Sequence, residues 1–394
     1  MLRRRNIRNS PVRLSTIRGK DRGIVISGQA AGRGNASFFG DKKRGIPRGV
    51  YPGHTGTRND GAGRVVRILP GCTIRVRFCG AFRVMICVAF CLAFAARDAR
   101  ASELNVPPEA SEAIHLMYSG QPDRAVALAR KLETSRPEHP LGYLIEADIL
   151  WWKIYCKWSE RKYNTIDAWS HTRPADSDDD ADLALADKVT RLAEASIAKS
   201  DTAEMELYAG LGYASRARLL GLRYEKMPVA RAGVEARKHL LRCLELNPNM
   251  ADAYLGLGLY NYYVDTLSTL AKILRFFMGI PGGSKSEGLR QLETASTKGE
   301  LTQMEARFNM AKSLRNYDRD YARAAQAAAP LISAYPANPI FLLLAGDIEQ
   351  KLGHNEAAAV RFRAAAASPE GDPACAAQVQ KLAREALASL GTGH

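Results

Sequence analysis

One alanine-to-proline interval recurs along the chain. Ala125 and Pro137, Ala236 and Pro248, and Ala324 and Pro336 each stand twelve residues apart, and Ala358 follows Ala324 by 34 with Pro369 beside the expected place. A small residue and a helix stop repeated in phase mean that one supersecondary unit is copied, and a unit of about 34 residues buries its apolar face only by stacking on its neighbours. From Pro107 onward apolar residues return every three and four positions, with breaks at Pro, Asn and Gly, so helices are predicted throughout and no strand is. The residue types fit that architecture. Gly and Ala suit the places where two helices of a pair touch, aromatics fill the gap to the next pair, and Pro ends the second helix.

The clearest copy of a first helix runs from Asn247 to Tyr260, with Tyr254, Leu257 and Gly258 at the aromatic, aliphatic and small positions. Further copies place Gly346, Gly353, Ala358, Phe362 and Ala365, and Ala113, Gly120, Ala125 and Pro137, in the same roles. This pattern resembles the tetratricopeptide repeat. The resemblance implies an all-α, right-handed α-solenoid of about six helix pairs, expected near 109–135, 140–199, 203–246, 251–298, 302–334 and 339–368, with a capping helix near 374–389. Two pairs are stretched. The first helix of the second pair is read from Leu141 to Lys162 and the polar loop His171 to Asp182 follows it. The fourth pair has its small second-helix residue at Gly288 and carries a helical insertion, 264–283. The run from Gly256 through Gly288-Leu289-Arg290-Gln291-Leu292 is similar to a subtype of exported bacterial repeat proteins, and distantly to the eukaryotic inclusion-body-clearance family of such proteins.

Charge divides the chain. The 394 residues carry 56 basic and 41 acidic side chains, a net +15, yet residues 1–84 alone hold sixteen Arg, three Lys and three Asp. That segment also holds fourteen Gly and no Glu, and it has no periodicity that could build a core, so 1–83 is expected to be a disordered basic leader or upstream sequence from a mis-assigned start. Next comes a thirteen-residue apolar run, Val84 to Ala96, preceded by Arg75, Arg77 and Arg83 and followed by Ala99-Arg100-Ala101. A charged region, a short apolar region and a small-x-small site form a secretory signal, predicted over 84–101 with cleavage between Ala101 and Ser102. The run is too short to span a bilayer. The remaining domain, 102–394, has a net charge near −2 and is expected outside the cytoplasm, periplasmic or otherwise exported, with no reason to bind nucleic acid. It retains Cys156, Cys243 and Cys375, enough for at most one disulfide, and their helical context predicts buried thiols.

No catalytic constellation stands out. Gly279 to Ser286 has Ser284 where a phosphate loop needs Gly, and a helix where it needs a preceding strand, so a turn and N-cap are expected instead. Asp176, Asp178, Asp180 and Asp187 fall at calcium-loop spacing, but Ala181 replaces the required Gly; a solvated loop leading into a helix is expected. No His or Cys pairing suits zinc, and no cofactor or metal is expected. All four Trp (Trp151, Trp152, Trp158 and Trp169) lie within nineteen residues, either as core or as a binding face. By repeat phase the resemblance puts Asp148, Trp151, Trp152, Asp252, Leu259, Tyr262, Tyr263, Asp347, Gln350 and Lys351 on the inner groove. It thus implies a non-catalytic scaffold that binds a protein or peptide partner there, in envelope assembly or transport. The other reading is a pocket for a cell-wall or lipid ligand. The apolar stretch 266–278 is expected to dock as core or to lie on a membrane.

Overall fold

Gly142, Gly258 and Gly346 show how the sequence makes the fold. A Cβ on Gly142 would meet the Glu133 side chain and backbone at 2.8 and 2.9 Å, one on Gly258 would meet Leu292 and the Gly288 carbonyl at 2.8 and 2.9 Å, and one on Gly346 would meet the Phe362 ring at 2.6 Å. In each case a first helix lies so close to a second helix that only hydrogen fits between them. The computed structural model describes residues 104–369 and 371–391, all within one unit spanning Arg77 to His394. The basic leader, the apolar run, Ala101 and Ser102 lie outside the described residues.

Six helix pairs follow in order. They are α1 (Pro108–Tyr118) with α2 (Pro122–Ser135), α3 (Leu141–Lys157) with α4 (Ser177–Ile197), and α5 (Ala203–Leu222) with α6 (Lys226–Leu246). In the fourth pair α7 (Ala253–Thr266) meets α9 (Lys285–Lys298) across the inserted α8 (Thr269–Phe277). The last two are α10 (Gln303–Ser313) with α11 (Tyr321–Ala334) and α12 (Pro339–Lys351) with α13 (Asn355–Ala366), and α14 (Pro373–Gly391) caps the array. The all-α repeat expected from phase is therefore present, with bounds close to those read from sequence. Gly288 is the small residue of the fourth pair, its ideal Cβ only 2.7 Å from the Gly258 carbonyl and the Tyr262 nitrogen. Among the described residues no helix is long and apolar enough to cross a membrane.

Three expectations are corrected. First, α3 stops at Lys157, five residues before the expected Lys162, and a hairpin follows: β1 (Ser159–Lys162) pairs antiparallel with β2 (Thr165–Ala168), Ser159 opposite Ala168 and Lys162 opposite Thr165. Its two-residue turn, Tyr163-Asn164, has φ values of 52° and 54°. Such a turn matches the strand twist but needs two left-handed residues, unusual for a tyrosine. The Lys351 ammonium donates to the Tyr163 carbonyl at 3.3 Å and the Arg161 guanidinium to Asn164 Oδ1 at 2.9 Å, which hold it in place. Second, Cys156 and Cys375 form a disulfide, so among the described residues only Cys243 is a buried thiol. The end of α3 and the start of α14 meet there, a juxtaposition that helical context in the sequence does not reveal. Third, the polar loop expected from His171 to Asp182 ends at Asp176, where the expected acidic helix begins, and Asp179 in its first turn is not solvated. Asp176 caps α4, accepting from the Asp178 and Asp179 amides at 3.1 Å, while Asp179 is fully buried against the Arg173 guanidinium at 2.7 and 2.9 Å. The other glycine-rich motif behaves as expected: Ser284 caps α9 and accepts from the Glu287 amide.

The array closes on itself. Asn338 Nδ2, ahead of α12, donates to the Tyr118 carbonyl at the end of α1 at 2.8 Å, and the Gly371 amide donates to the Gly120 carbonyl at 3.1 Å. On the inside, the Trp152 ring of α3 lies 4.9 Å from Phe308 of α10, 5.8 Å from Phe341 of α12 and 5.5 Å from Tyr118 of α1. Edge-to-face packing at these separations adds about 0.5–1.5 kcal/mol per pair to the area buried. The first and sixth pairs thus share one aromatic core, and much of the face that an open solenoid would offer to a partner is filled by the protein itself.

Candidate functional site

Closure sorts the ten inner-face residues into two groups. Trp152, Asp252, Tyr262 and Asp347 are buried, and each is consumed by the fold. Asp252 accepts from the Leu301 and Thr302 amides at 2.9 and 2.8 Å and from the Thr302 hydroxyl at 2.8 Å, so it fastens the loop ahead of α10. The Tyr262 hydroxyl donates to Asp318 at 2.7 Å. Asp347 lies 3.1 Å from Arg315 Nη1 and accepts from the Ile166 amide at 2.9 Å. These four face no solvent-filled groove. Asp148, Trp151, Leu259, Tyr263, Gln350 and Lys351 stay partly accessible. Gln350 donates to Ser389 Oγ at 3.2 Å and Lys351 holds the hairpin, so both serve the closure between α12, α14 and the hairpin.

Asp148 and Leu259 come together at a cavity. It has a volume of about 60 Å³ and is lined by first helices of five pairs and the loop ahead of α10, including Ile114, Tyr118, Asp148, Arg218, Leu259 and Glu305. Most of its wall is apolar because these positions carry the three-and-four spacing that faces inward. Its polar feature is one guanidinium shared by two carboxylates. Arg218 Nη2 donates to Asp148 Oδ1 at 2.5 Å and Nη1 donates to Glu305 Oε1 at 3.0 Å, while its guanidinium carbon sits 4.8 Å from the centre of the Trp151 ring. Trp151 therefore acts by orienting Arg218 through cation–π stacking. Sequence reading found Asp148, Trp151 and Leu259 by phase; it missed Arg218 and Glu305, which sit at the same kind of position on α5 and at the start of α10.

A third carboxylate lies behind this group. Asp182 on α4 has no exposed surface, neither of its oxygens has a hydrogen-bond donor, and burial pushes its carboxyl up to about 7, with Arg218 pulling the other way. Burial likewise raises the Glu305 carboxyl, offset in part by Arg218. For Arg218, burial works against the charged form, yet Asp148, Glu305 and Asp182 together hold the guanidinium above its ordinary value. Three carboxylates thus surround one fixed cation.

The Asp182 shift has a consequence for stability. A carboxyl raised in the folded state favours folding only while protonated, so its share of stability is present below about pH 4 and is lost as pH rises through about 7. Replacing Asp182 with Asn, which cannot ionise, is expected to leave the urea midpoint near wild type at pH 4 and to raise it relative to wild type at pH 8. A variant less stable than wild type at pH 8 would show that the carboxylate is held by donors after all.

No family model matches the chain, and no curated protein sequence matches it. Among solved structures it is similar to the crystal structure of the yeast Tom70, at 12% identity over 73% of this chain and 90% of that chain, with a TM-score of 0.25. A likeness that remote adds nothing to the repeat architecture that the helices establish by themselves.

Proposed function

We propose that the chain is an exported, non-catalytic repeat scaffold that holds a protein or peptide partner at the mouth of the central cavity. The carrying observation is that the array closes upon its own inner face yet leaves an opening where half-buried Ile114, Leu259 and Leu301 flank the Asp148–Arg218–Glu305 group. Apolar anchors around a few fixed charges suit partner recognition. The non-catalytic reading draws on how the polar groups are used. Ser215 Oγ accepts from Arg218 at 3.3 Å, whereas a nucleophile would need a general base beside it. Export draws support from the Cys156–Cys375 disulfide, because such bonds persist where the compartment is oxidising. The secretory signal belongs to the same reading. A lipid chain or glycan strand is a poorer fit, since about 60 Å³ encloses only a few heavy atoms.

A photoreactive phenylalanine analogue at Leu259 tests the partner site, with the same analogue at Val360, 59% exposed on α13, as the comparison. In the native host the Leu259 position is expected to cross-link a discrete protein that the Val360 position does not; identical adducts from both would sink the reading. Export is checked separately by N-terminal sequencing, expected to begin at Ser102, and a mature chain that keeps residues ahead of Met85 would remove it.

A further inference from the structure

We propose that the central cavity is a receptor for one aliphatic ammonium group, the tip of a lysine side chain or of a free primary alkylamine. This deepens the proposed function, since a lysine is what a protein partner would insert, and it rests on that reading only for the source of the amine.

Charge sets the sign of the ligand. Among the described residues, Arg218 takes one oxygen from Asp148 and one from Glu305, and no hydrogen bond is made by Asp148 Oδ2 or Glu305 Oε2. Two carboxylates against one guanidinium leave the wall with an excess negative charge, and Asp182 stands behind it with both oxygens unpartnered. The Tyr118 phenol, also in the lining, is held neutral first by burial and then by Glu305 and Asp148, so an independent group in the cavity feels the same negative field. In a site screened from water a cation there is favoured far more than at a surface, and an anion is opposed.

Volume sets the size. A dry cavity of about 150 Å³ holds a benzene, so about 60 Å³ takes about three heavy atoms: an ammonium and the two methylenes behind it. The rest of a lysine stem would lie along half-buried Ile114, Leu259 and Leu301, because long cationic side chains cover apolar surface with their methylenes while the head finds its partners. The side chain of Asp148 is 28% exposed and that of Glu305 only 13%, which places the entrance on the Asp148 side and the end of the cavity at Glu305. Geometry also argues against arginine. A guanidinium recognises carboxylates through a two-pronged fork, and Arg218 already supplies that fork, whereas an ammonium needs only single oxygens disposed around a point. The charged side chains in the lining are Asp148, Arg218 and Glu305, so a neutral chain of the same length would leave Asp148 Oδ2 and Glu305 Oε2 without a donor.

The experiment uses the full chain and n-butylammonium chloride as probe, with sodium butyrate as the anionic match, and follows the indole resonance of Trp151, assigned by its loss in Trp151→Phe. Saturable shifts with butylammonium and none with butyrate are expected. Asp148→Asn, an isosteric change at a partly exposed position, and Glu305→Gln should each weaken binding at least tenfold, while the exposed Glu356→Gln should not change it. Equal response to butyrate, or unchanged binding in Asp148→Asn with an intact thermal transition, overturns the proposal. Blocked tripeptides Gly-Lys-Gly, Gly-Arg-Gly and Gly-norleucine-Gly then distinguish the sources. Binding of the lysine peptide alone identifies a partner side chain. Butylammonium binding with all three peptides rejected assigns the cavity to a free amine, which keeps the ammonium receptor and removes the partner site. A Leu259 cross-link in the wild-type protein when that protein binds neither butylammonium nor the lysine peptide has the reverse meaning: the scaffold reading stands and the receptor falls.

Discussion

Replacing Arg315 with Met is expected to lower the stability of the protein by about 3–5 kcal/mol, the range for stripping one partner from a buried ion pair. Arg315 is 3% exposed and lies in the π-helical turn Leu314–Asp318 that follows α10. Its Nη2 donates to the Ile166 carbonyl of the hairpin at 2.9 Å and lies 3.6 Å from Asp167, and its Nη1 lies 3.1 Å from Asp347 on α12. Asp167 has further partners: it accepts from the Tyr155 hydroxyl at 2.6 Å and from Asn316 at 2.6 Å, and Lys312 stands 3.4 Å away. Two cations and two carboxylates therefore balance at the place where α3, the hairpin, α10 and α12 meet. Removing Arg315 leaves one buried negative charge uncompensated.

The expected loss depends on pH. Burial already raises the Asp347 carboxyl, with Arg315 opposing it, so without Arg315 that carboxyl moves further up. Raised carboxyls favour the folded state only while protonated, so Arg315→Met should be most harmful at pH 8 and partly relieved at pH 5. Adding Asp347→Leu restores charge balance, leaving Lys312 with Asp167, and should recover most of the loss at pH 8. Urea unfolding of the two single variants and the double variant measures this as a coupling energy. Additive losses would mean that Arg315 and Asp347 do not depend on one another, and the closing network described here would be wrong.

The repeat was legible in the sequence because its chemistry is local. Gly258, Gly288 and Gly346 are small for a reason that involves the partner helix of their own pair, Gly142 for one that involves the second helix of the pair before it, and such requirements recur at fixed spacing. Closure is of another kind. Trp152 and Tyr262 have residue types that serve equally well as groove anchors or as core, and which they become is decided by helices far away in the chain: Phe308 and Phe341 for Trp152, and the π-helical turn for Tyr262. Phase alone assigns them to the inner face and is silent on whether that face is open. The hairpin escaped for a different reason. Ser159 to Ala168 is short and mostly polar, its turn is Tyr-Asn and not Asn-Gly, and its stability comes from Arg315, Asp347 and Lys351 and not from an apolar stripe. The cavity was half legible, since Asp148 and Leu259 follow from phase, but the sharing of Arg218 between Asp148 and Glu305 depends on side chains 70 and 87 residues from it.

Reducing the Cys156–Cys375 bond, or replacing both residues with Ser, is expected to cost about 3–5 kcal/mol, measured as a drop in urea midpoint with the slope allowed to change. The bond joins residues 219 apart, and in the chain-entropy account a longer loop means a larger loss of freedom for the unfolded chain, approaching about 5 kcal/mol for loops of this order. It also joins the first part of the array to the last. Cys156 ends α3 and Cys375 begins α14, and beside them Gln378 on α14 donates to the Ser159 carbonyl of β1 and Arg161 donates to Ser389 at 2.6 Å. Those polar contacts are few and partly exposed, so without the disulfide the capping helix is held on that side mainly by its apolar face, Val379, Leu382, Ala383 and Ala386. Stacked repeats are stabilised by neighbour contacts, and a terminal helix has only one neighbour in sequence. Loss of the bond should therefore appear first as local opening: faster amide exchange and proteolysis in α14 at urea concentrations where α5 and α6 remain protected. If α14 and α5 instead lose protection together, the bond fastens the whole closed array and not the cap, and the larger end of the stated range is expected. A midpoint unmoved by reduction would show that packing alone closes the array.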